Sequence, residues 1–320
     1  MDNVDFPDKE RGAPMVRGFV TIATGHERYY RMARNLLRSY RQNCSERVRF
    51  ALIADRRNEY TEEFDDVVIL EHPANNWMDK LELLCNCPYD ENIFIDADCL
   101  VYRDINYLWT LFSGADSFSC FGKALPLDAE GGWFTAEAAQ VYPIHFLTHL
   151  HGMLYFIRKG EMIDRMYSLC QDIIANYHAV RYKSFNDRMA DEPVFALAMA
   201  ILNLKPIDRK PEYYCFVPYA TDFSSDYLAR RVSFENPTDG RVSGCDIVHW
   251  GNLNTLKAQY RFDAHACNHL ETASENSLSA WLLYRTKLLL FRFRLEDAWN
   301  WLYQWTKWFF ERVCCKLTRK

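Results

Sequence analysis

The stretch that most limits how this chain can fold is Asn92-Ile93-Phe94-Ile95, which runs directly into Asp96-Ala97-Asp98 and on to Cys99-Leu100-Val101. The apolar run is short enough for a strand. Its apolarity is continuous rather than alternating, so both faces of that strand need cover. Open α/β sheets bind ligands outside the carboxyl ends of their strands, and Asp96 and Asp98 stand at such an end. Two carboxylates spaced i, i+2 repel each other unless they share a cation, and hard oxygen ligands suit Mg²⁺ or Mn²⁺. On the tripeptide alone a second reading stays open: a strand end with two solvated or turn-forming Asp residues.

The flanking sequence supplies the rest of such a sheet. Gly18 to Thr24 reads as a first strand. Tyr29, Ala33, Leu36 and Tyr40 then recur at i, i+4, i+7 and i+11, the period of a helix. Phe50 to Ala54 and Val67 to Leu70 read as strands, and a helix is expected between His72 and Pro88. Strand–helix alternation at this spacing predicts an α/β fold with a mixed, mainly parallel sheet flanked by helices. Beyond Val101 the pattern loosens. A short helix is expected over Ile105 to Phe112 and a strand over Ser117 to Phe121. A long loop-rich insertion carries Gly131, Gly132, Trp133 and Tyr142 to Phe146; long loops of this kind are often functional. Gly152 to Ile157 reads as a strand and Glu161 to Tyr177 as a helix. Asp191 is expected to cap a helix over Val194 to Leu202, with Pro193 in its first turn. Tyr214 to Val217 and Asp246 to Trp250 read as late strands, and Asn236 to Gly240 as a turn.

Composition narrows the class. With 320 residues, 49% of them hydrophobic, the chain is long enough for one large domain or two smaller ones. The formal net charge of −5 argues against nucleic acid as a partner. The 11 cysteines show no paired zinc-type spacing and read as reduced thiols in a cytoplasmic setting. Residues 1–17 are polar with no apolar signal region, and no stretch is apolar enough to span a membrane. Three segments are expected: a leader at 1–15, a catalytic domain at 16–265 and a basic aromatic tail at 276–320.

Taken in order, the first strand, Tyr29, Lys80, Asp96-x-Asp98, Gly152, Asp191-Glu192 and Val248-His249-Trp250-Gly251 resemble a GT-A glycosyltransferase. Within that fold the chain is similar to glycosyltransferase family 8, the glycogenin-like and bacterial polysaccharide enzymes, over roughly Arg17 to Lys257. The resemblance implies a Rossmann-like nucleotide-diphospho-sugar fold and a retaining transfer of a hexose from a UDP-sugar to a hydroxyl acceptor. It implies that Asp96, Asp98 and His249 hold Mn²⁺ (or Mg²⁺) against the donor diphosphate. Ala23, Thr24 and Tyr29 would cradle uridine, with Tyr29, or Tyr30 in its stead, stacking on uracil. Lys80 matches a lysine that contacts donor phosphate or sugar; read from its own position it is equally an exposed helix lysine. Ala97 and Gly152 fall beside the donor, and Gly251 and Lys257 match a loop that grips the diphosphate. Asp191 and Glu192 match an Asp-Gln pair near the donor sugar. This chain departs from the pattern in three places. Glu192 replaces Gln, His151 precedes Gly152, and Gly251 follows His249 by two residues where three is usual.

The tail has its own signature. Trp301, Trp305, Trp308 and Phe309 share one helical face, and from Ser279 onward nine cations face three anions. A basic helix with a Trp-rich face suits an anionic membrane surface, and packing of that face on protein is the alternative. A peripheral enzyme at the inner face of the cell membrane, acting on a glycan or lipid-linked acceptor, follows from the first reading. Two other functions compete. Asp96-Ala97-Asp98-Cys99 superficially resembles a haloacid-dehalogenase phosphatase motif, but it follows three strands and lacks the threonine. A non-catalytic carbohydrate-binding protein has no use for Lys80, Asp96, Asp98 and His249 together.

Overall fold

The computed structural model describes residues 15–129, 133–134, 136–176 and 189–272, together with 282 and 286. The leader, the two glycines of the insertion and the basic aromatic tail therefore lie outside the described residues, apart from Met15, Leu282 and Thr286.

The chain opens with β1 (Arg17–Ala23), α1 (Glu27–Asn43), β2 (Arg49–Ala54) and β3 (Asp66–Ile69). A 3₁₀ segment, Trp77–Glu82, leads into the single turn α2 (Leu83–Asn86). Then come β4 (Glu91–Ile95), β5 (Cys99–Val101), α3 (Tyr107–Leu111), β6 (Phe118–Leu125) and β7 (Leu147–Arg158). The two helices α4 (Glu161–Ala175) and α5 (Asp191–Ile201) follow. After them come β8 (Tyr214–Phe216), β9 (Thr221–Asp226), β10 (Arg231–Asn236), β11 (Gly240–Ser243), β12 (Ile247–His249) and α6 (Ala258–Thr272).

The main sheet has the order β3-β2-β1-β4-β7-β6. Its first four strands are parallel, and β7 pairs antiparallel with both β4 and β6. This is the mixed, mainly parallel sheet flanked by helices that the sequence predicts. Alternate residues of each strand serve opposite faces. Phe19, Phe50, Leu52, Ile93 and Ile95 pack into one core with α1 and α6. Val20, Ala51, Ile53 and Phe94 pack into a second core with α4 and α5. Both faces of β4 are thus covered, which is why its sequence is apolar without alternation.

Three differences from the sequence reading have local causes. The helix expected before Pro88 is mostly 3₁₀. Asn76 starts it by accepting the Met78 N–H, and its apolar residues are too few to hold a longer helix. The strand expected from Gly152 begins five residues earlier at Leu147, where His149 and His151 interrupt the apolar pattern; His149 pairs with Lys123 of β6, and His151 falls where the β6–β7 register shifts. The meander β9–β10–β11 is absent from the sequence reading because β9, Thr-Asp-Phe-Ser-Ser-Asp, has the composition of a loop. The turn expected at Asn236 to Gly240 is its second hairpin, with Asn236 Oδ1 accepting the N–H groups of Thr238 and Asp239.

Candidate active site

The site forms where β1 and β4 end and where the small sheet β5-β12-β8 begins. Two registers build its acidic corner. The chain leaves β4 at Asp96, whose N–H donates to the Met153 carbonyl of β7 at 2.9 Å. Because β7 runs antiparallel, Gly152 is carried to the same edge. The chain then turns into β5, which pairs antiparallel with β12 so that His249 lies opposite Cys99, and the Trp250 N–H reaches the Asp98 carbonyl at 3.2 Å. Ser39 of α1 braces β5 by accepting the Val101 N–H at 2.9 Å, and Asn43 accompanies it by donating to the Val101 carbonyl at 3.0 Å.

The side chains converge. His249 Nε2 stands 3.1 Å from Asp98 Oδ1 and 3.6 Å from Asp96 Oδ2. Lys80 Nζ lies 2.9 Å from Asp96 Oδ1, donates to the Gly152 carbonyl at 3.1 Å and sits 3.4 Å from Asp191 Oδ2. An ammonium has three donors, and all three of these point at protein groups. Lys80 is 14% exposed, which removes the surface-lysine reading. Asp191 is the first residue of α5 rather than its cap. Ala190 holds the N-cap position with extended backbone, and the Asp191 carboxylate accepts instead from the Tyr155 hydroxyl at 3.3 Å. An acid in the first turn still benefits from the helix dipole. Glu192 Oε1 accepts the Gly152 N–H at 2.6 Å. A Cβ on Gly152 would fall 2.7 Å from Glu192 Cγ and 2.9 Å from the Tyr155 hydroxyl, so the glycine is what lets Glu192 close on β7.

Electrostatics reinforce the geometry. Burial works to lower the pKa of Lys80, but Asp191 and Asp96 outweigh it and raise it, so the ammonium stays charged. Burial opposes ionisation of Asp98, yet His249 beside it holds the carboxyl below the usual range. Burial likewise works against the His249 imidazolium, and Asp98 overrides it and raises the pKa. Burial leaves Asp96 above the ordinary carboxylate range despite Lys80 and His249. Glu192 is pushed up to about 7, first by burial and then by the Asp191 charge. Asp96, Asp98, Asp191 and Glu192 together outnumber Lys80 and His249, and buried negative charge in excess of its partners is costly.

That imbalance is what a divalent cation relieves, and Asp96, Asp98 and His249 are a donor set that fits one. The donor atoms that lie within 4.8 Å of one another are those of Asp98, Cys99 and His249, and Asp96 joins them through His249 at 3.6 Å. Burial holds the Cys99 thiol well above the ordinary range, which leaves a hard cation to the carboxylates and the imidazole.

Beside this corner opens a cleft of about 660 Å³, into which Ala23, Thr24, Tyr29, Lys80, Asp96, Ala97 and Asp98 all face. Tyr29 stands on the cleft, with the Arg28 guanidinium 5.2 Å from its ring centre, while Tyr30 is buried and bonds Asp55. Gly251, at φ 65°, packs on Pro218 and starts the 3₁₀ turn Asn252–Leu256; a Cβ there would meet Pro218 at 2.9 Å. Lys257 is exposed just past that turn and does not line the cleft.

The sequence reading missed another wall of the cleft: Asn75, Asn76, Trp77, Met78, Asp79 and Met189. Asp79 is its knot. Buried, it accepts from the Thr24 hydroxyl at 2.6 Å and from the N–H groups of Ala74 and Asn75 at 2.6 and 3.0 Å. Trp77 Nε1 donates to the Met189 carbonyl at 2.7 Å and closes the wall against the start of α5. The signal available was the pair Asn75-Asn76, a turn dipeptide, followed three residues later by a carboxylate.

No family model and no curated protein matches the chain. Among solved structures it is similar to the galactosyltransferase LgtC in complex with donor and acceptor sugar analogues. That match has 11% identity, covers 83% of this chain and 99% of the other, and has a TM-score of 0.49. It is also similar to the glycosyltransferase GlyE of Streptococcus pneumoniae TIGR4, at 12% identity over 64% of this chain and 47% of the other, TM-score 0.42. A third match is the bifunctional glycosyltransferase WbbM, at 9% identity over 79% and 52%, TM-score 0.46. At these values the likeness equates no residue of this chain with one of theirs.

Proposed function

We propose that this chain is a metal-dependent, retaining glycosyltransferase that moves a hexose from a UDP-sugar to a hydroxyl acceptor. Its setting is glycan or cell-surface polysaccharide synthesis at the membrane face. The observation that carries this reading is the convergence of Asp96, Asp98 and His249 at the end of a cleft walled by Ala23, Thr24 and Tyr29. Those three ligands would hold Mn²⁺ or Mg²⁺, which when bound supplies Lewis-acid stabilisation of charge building on the departing diphosphate.

The chain's own residues do the rest. Tyr29 offers its ring to uracil, and Ala23 and Thr24 border the base. Lys257 follows the turn begun by Gly251 and, though outside the cleft lining, is the residue that would grip the diphosphate from that loop. Lys80 fixes Asp96 relative to α5 and keeps positive charge beside the leaving group. Asp191 and Glu192 face the anomeric centre, where a carboxylate can hold sugar hydroxyls or stabilise an oxocarbenium-like transition state. Ala97 and Gly152 flank the sugar with little bulk. The acceptor hydroxyl attacks from the face that the diphosphate leaves. The C–O bond to the acceptor forms as the bond to the diphosphate breaks, and the departing diphosphate takes the acceptor proton.

Release of UDP across a panel of UDP-sugars with Mn²⁺ tests the activity. Metal-dependent release from one donor is expected, and its disappearance in Asp98→Ala ties it to this corner. Full turnover by that variant would overturn the assignment. The basic segment 276–320 is read as the part that holds a cytoplasmic enzyme at the inner membrane face. Among the described residues no helix is long and apolar enough to cross a membrane. Liposome flotation of the full chain against a chain ending at Asn276 tests the tail.

A further inference from the structure

The rim of the active site next to His249 is apolar and exposed. Leu253 is 77% exposed, Leu256 54% and Tyr219 68%. Scattered exposed apolar side chains are ordinary, but these three are gathered at one place. Gly251 packs directly on Pro218, so the residues that follow each contact, Leu253 and Tyr219, leave the same junction. Leu253 and Leu256 belong to one 3₁₀ turn, where residues i and i+3 eclipse and share a face. The Tyr219 ring leans edge-on against Phe216, which also packs on the His249 imidazole. Leu253 is four residues from His249, so even extended backbone keeps it within about 14 Å of the metal corner. Five residues after Leu256, in the first turn of α6, Arg261 is exposed to solvent.

We infer that this lip, made of Tyr219, Leu253 and Leu256 with Arg261 following in the chain, seats on an anionic lipid surface and presents the acceptor side of the site to the headgroup layer. The inference rests on the membrane reading above and adds to it a surface on the folded domain. Two features select lipid as the occupant. Exposed Leu and Tyr together with a cation is the chemistry of an interfacial contact: apolar groups enter the acyl boundary and the cation meets anionic headgroups. In addition, α6 begins at this lip, and the chain beyond it carries nine cations against three anions over 279–320, a matching preference for negative surface. A protein that holds its active-site mouth at the bilayer takes its acceptor as a hydroxyl on a lipid-anchored headgroup or glycan.

The test is co-flotation of the full-length chain with phosphatidylcholine vesicles, with and without phosphatidylglycerol, comparing the native chain with Leu253→Glu/Leu256→Glu and with Arg261→Gln. Tm and UDP-sugar hydrolysis in solution are measured alongside. The native chain is expected to float with phosphatidylglycerol vesicles. The double variant is expected to lose on the order of tenfold or more in vesicle affinity, and Arg261→Gln a few-fold. Tm and soluble hydrolysis should stay unchanged in both. A native chain that does not float at all overturns the membrane reading itself. A native chain that floats while the double variant floats equally well overturns the lip and leaves the tail reading standing. Equal binding to neutral vesicles overturns the anionic assignment. A drop in Tm with flotation unchanged assigns the lip to packing within the chain, and a dimer dissolved by the double variant assigns it to a second copy; either overturns the proposal.

Discussion

The acidic corner and the 75–79 wall of the same cleft are built in opposite ways. The corner is fixed by backbone register: Asp96 on Met153, His249 opposite Cys99, Trp250 on the Asp98 carbonyl. Lys80 then locks Asp96, Gly152 and Asp191 together through one ammonium. The wall has no strand beneath it. Asn75, at φ 56°, and Asn76 turn around a single carboxylate, Asp79, and one indole hydrogen bond from Trp77. Charge is placed where the sheet over-determines position, and the 75–79 wall is left to local hydrogen bonds. That division suits a site whose chemistry needs fixed groups and whose ligand must enter and leave.

Breaking the corner should therefore cost most, and cost catalysis first. Asp98→Asn keeps the shape but removes the negative charge that faces His249 and the proposed cation. A drop in kcat/KM on the order of 10³-fold, about 4 kcal/mol, is expected in UDP release. Binding of Mn²⁺ measured by calorimetry should weaken in parallel. Unchanged metal affinity would move the cation away from this corner.

Next in size is the stability carried by Lys80. Lys80→Met leaves Asp96 and Asp191 buried without their shared cation, and breaking such a pair costs about 3–5 kcal/mol. Urea unfolding reads the loss. The double variant Lys80→Met/Asp96→Asn should recover part of it, since one orphaned charge is gone; simple additivity would show that the two groups are not coupled.

These two residues also mark how much was legible beforehand. β4 could be read because burial on both faces removes alternation from its sequence, whereas Asp96-x-Asp98, which alone reads equally as a strand-end turn, gained its weight only from Lys80 before it and His249 far downstream. His249 was legible only through a resemblance, since nothing in a lone His predicts that β12 will pair with β5 in that register. Asp191 was placed at the right helix but as its cap rather than its first residue, and local capping rules could not foresee Lys80 arriving from 111 positions away. Asp79 was passed over because its partners, Thr24 and the Asn75 turn, are set by tertiary folding. The meander was missed because polar strands on a solvated sheet carry no apolar pattern.

Glu192 gives the third effect, in pH. Its carboxyl is raised from the ordinary 4.5 to about 7. The folded protein therefore holds a proton that the unfolded chain releases. The contribution to stability is complete below about 4.5 and is lost as pH rises through about 7. Over that window the slope corresponds to about 3 kcal/mol at most. Glu192→Gln keeps an acceptor for the Gly152 N–H and cannot ionise, so its unfolding free energy should be flatter across the same window. An equal slope in both proteins would assign the titration elsewhere.

The smallest effect belongs to the wall and completes the comparison. Asp79→Asn retains one carbonyl oxygen where the carboxylate serves three donors, Thr24 Oγ1 and the N–H groups of Ala74 and Asn75. At least one of those donors loses its partner, at a cost of about 1–2 kcal/mol in local order. The wall touches no group assigned to bond breaking, so the loss should appear as looser ligand closure: a donor KM several-fold higher with kcat within about twofold. The Asp98 and Asp79 variants then differ in kind as well as size. If Asp79→Asn instead lowered kcat as strongly as Asp98→Asn, the wall would have to transmit its order to the corner. Two routes join them: Lys80 directly follows Asp79, and Trp77 bonds Met189 two residues before Asp191. A structure-sensitive probe of Lys80, such as the pH stability slope of Glu192 measured in the Asp79→Asn background, separates these cases. An unaltered slope keeps the wall and the corner independent.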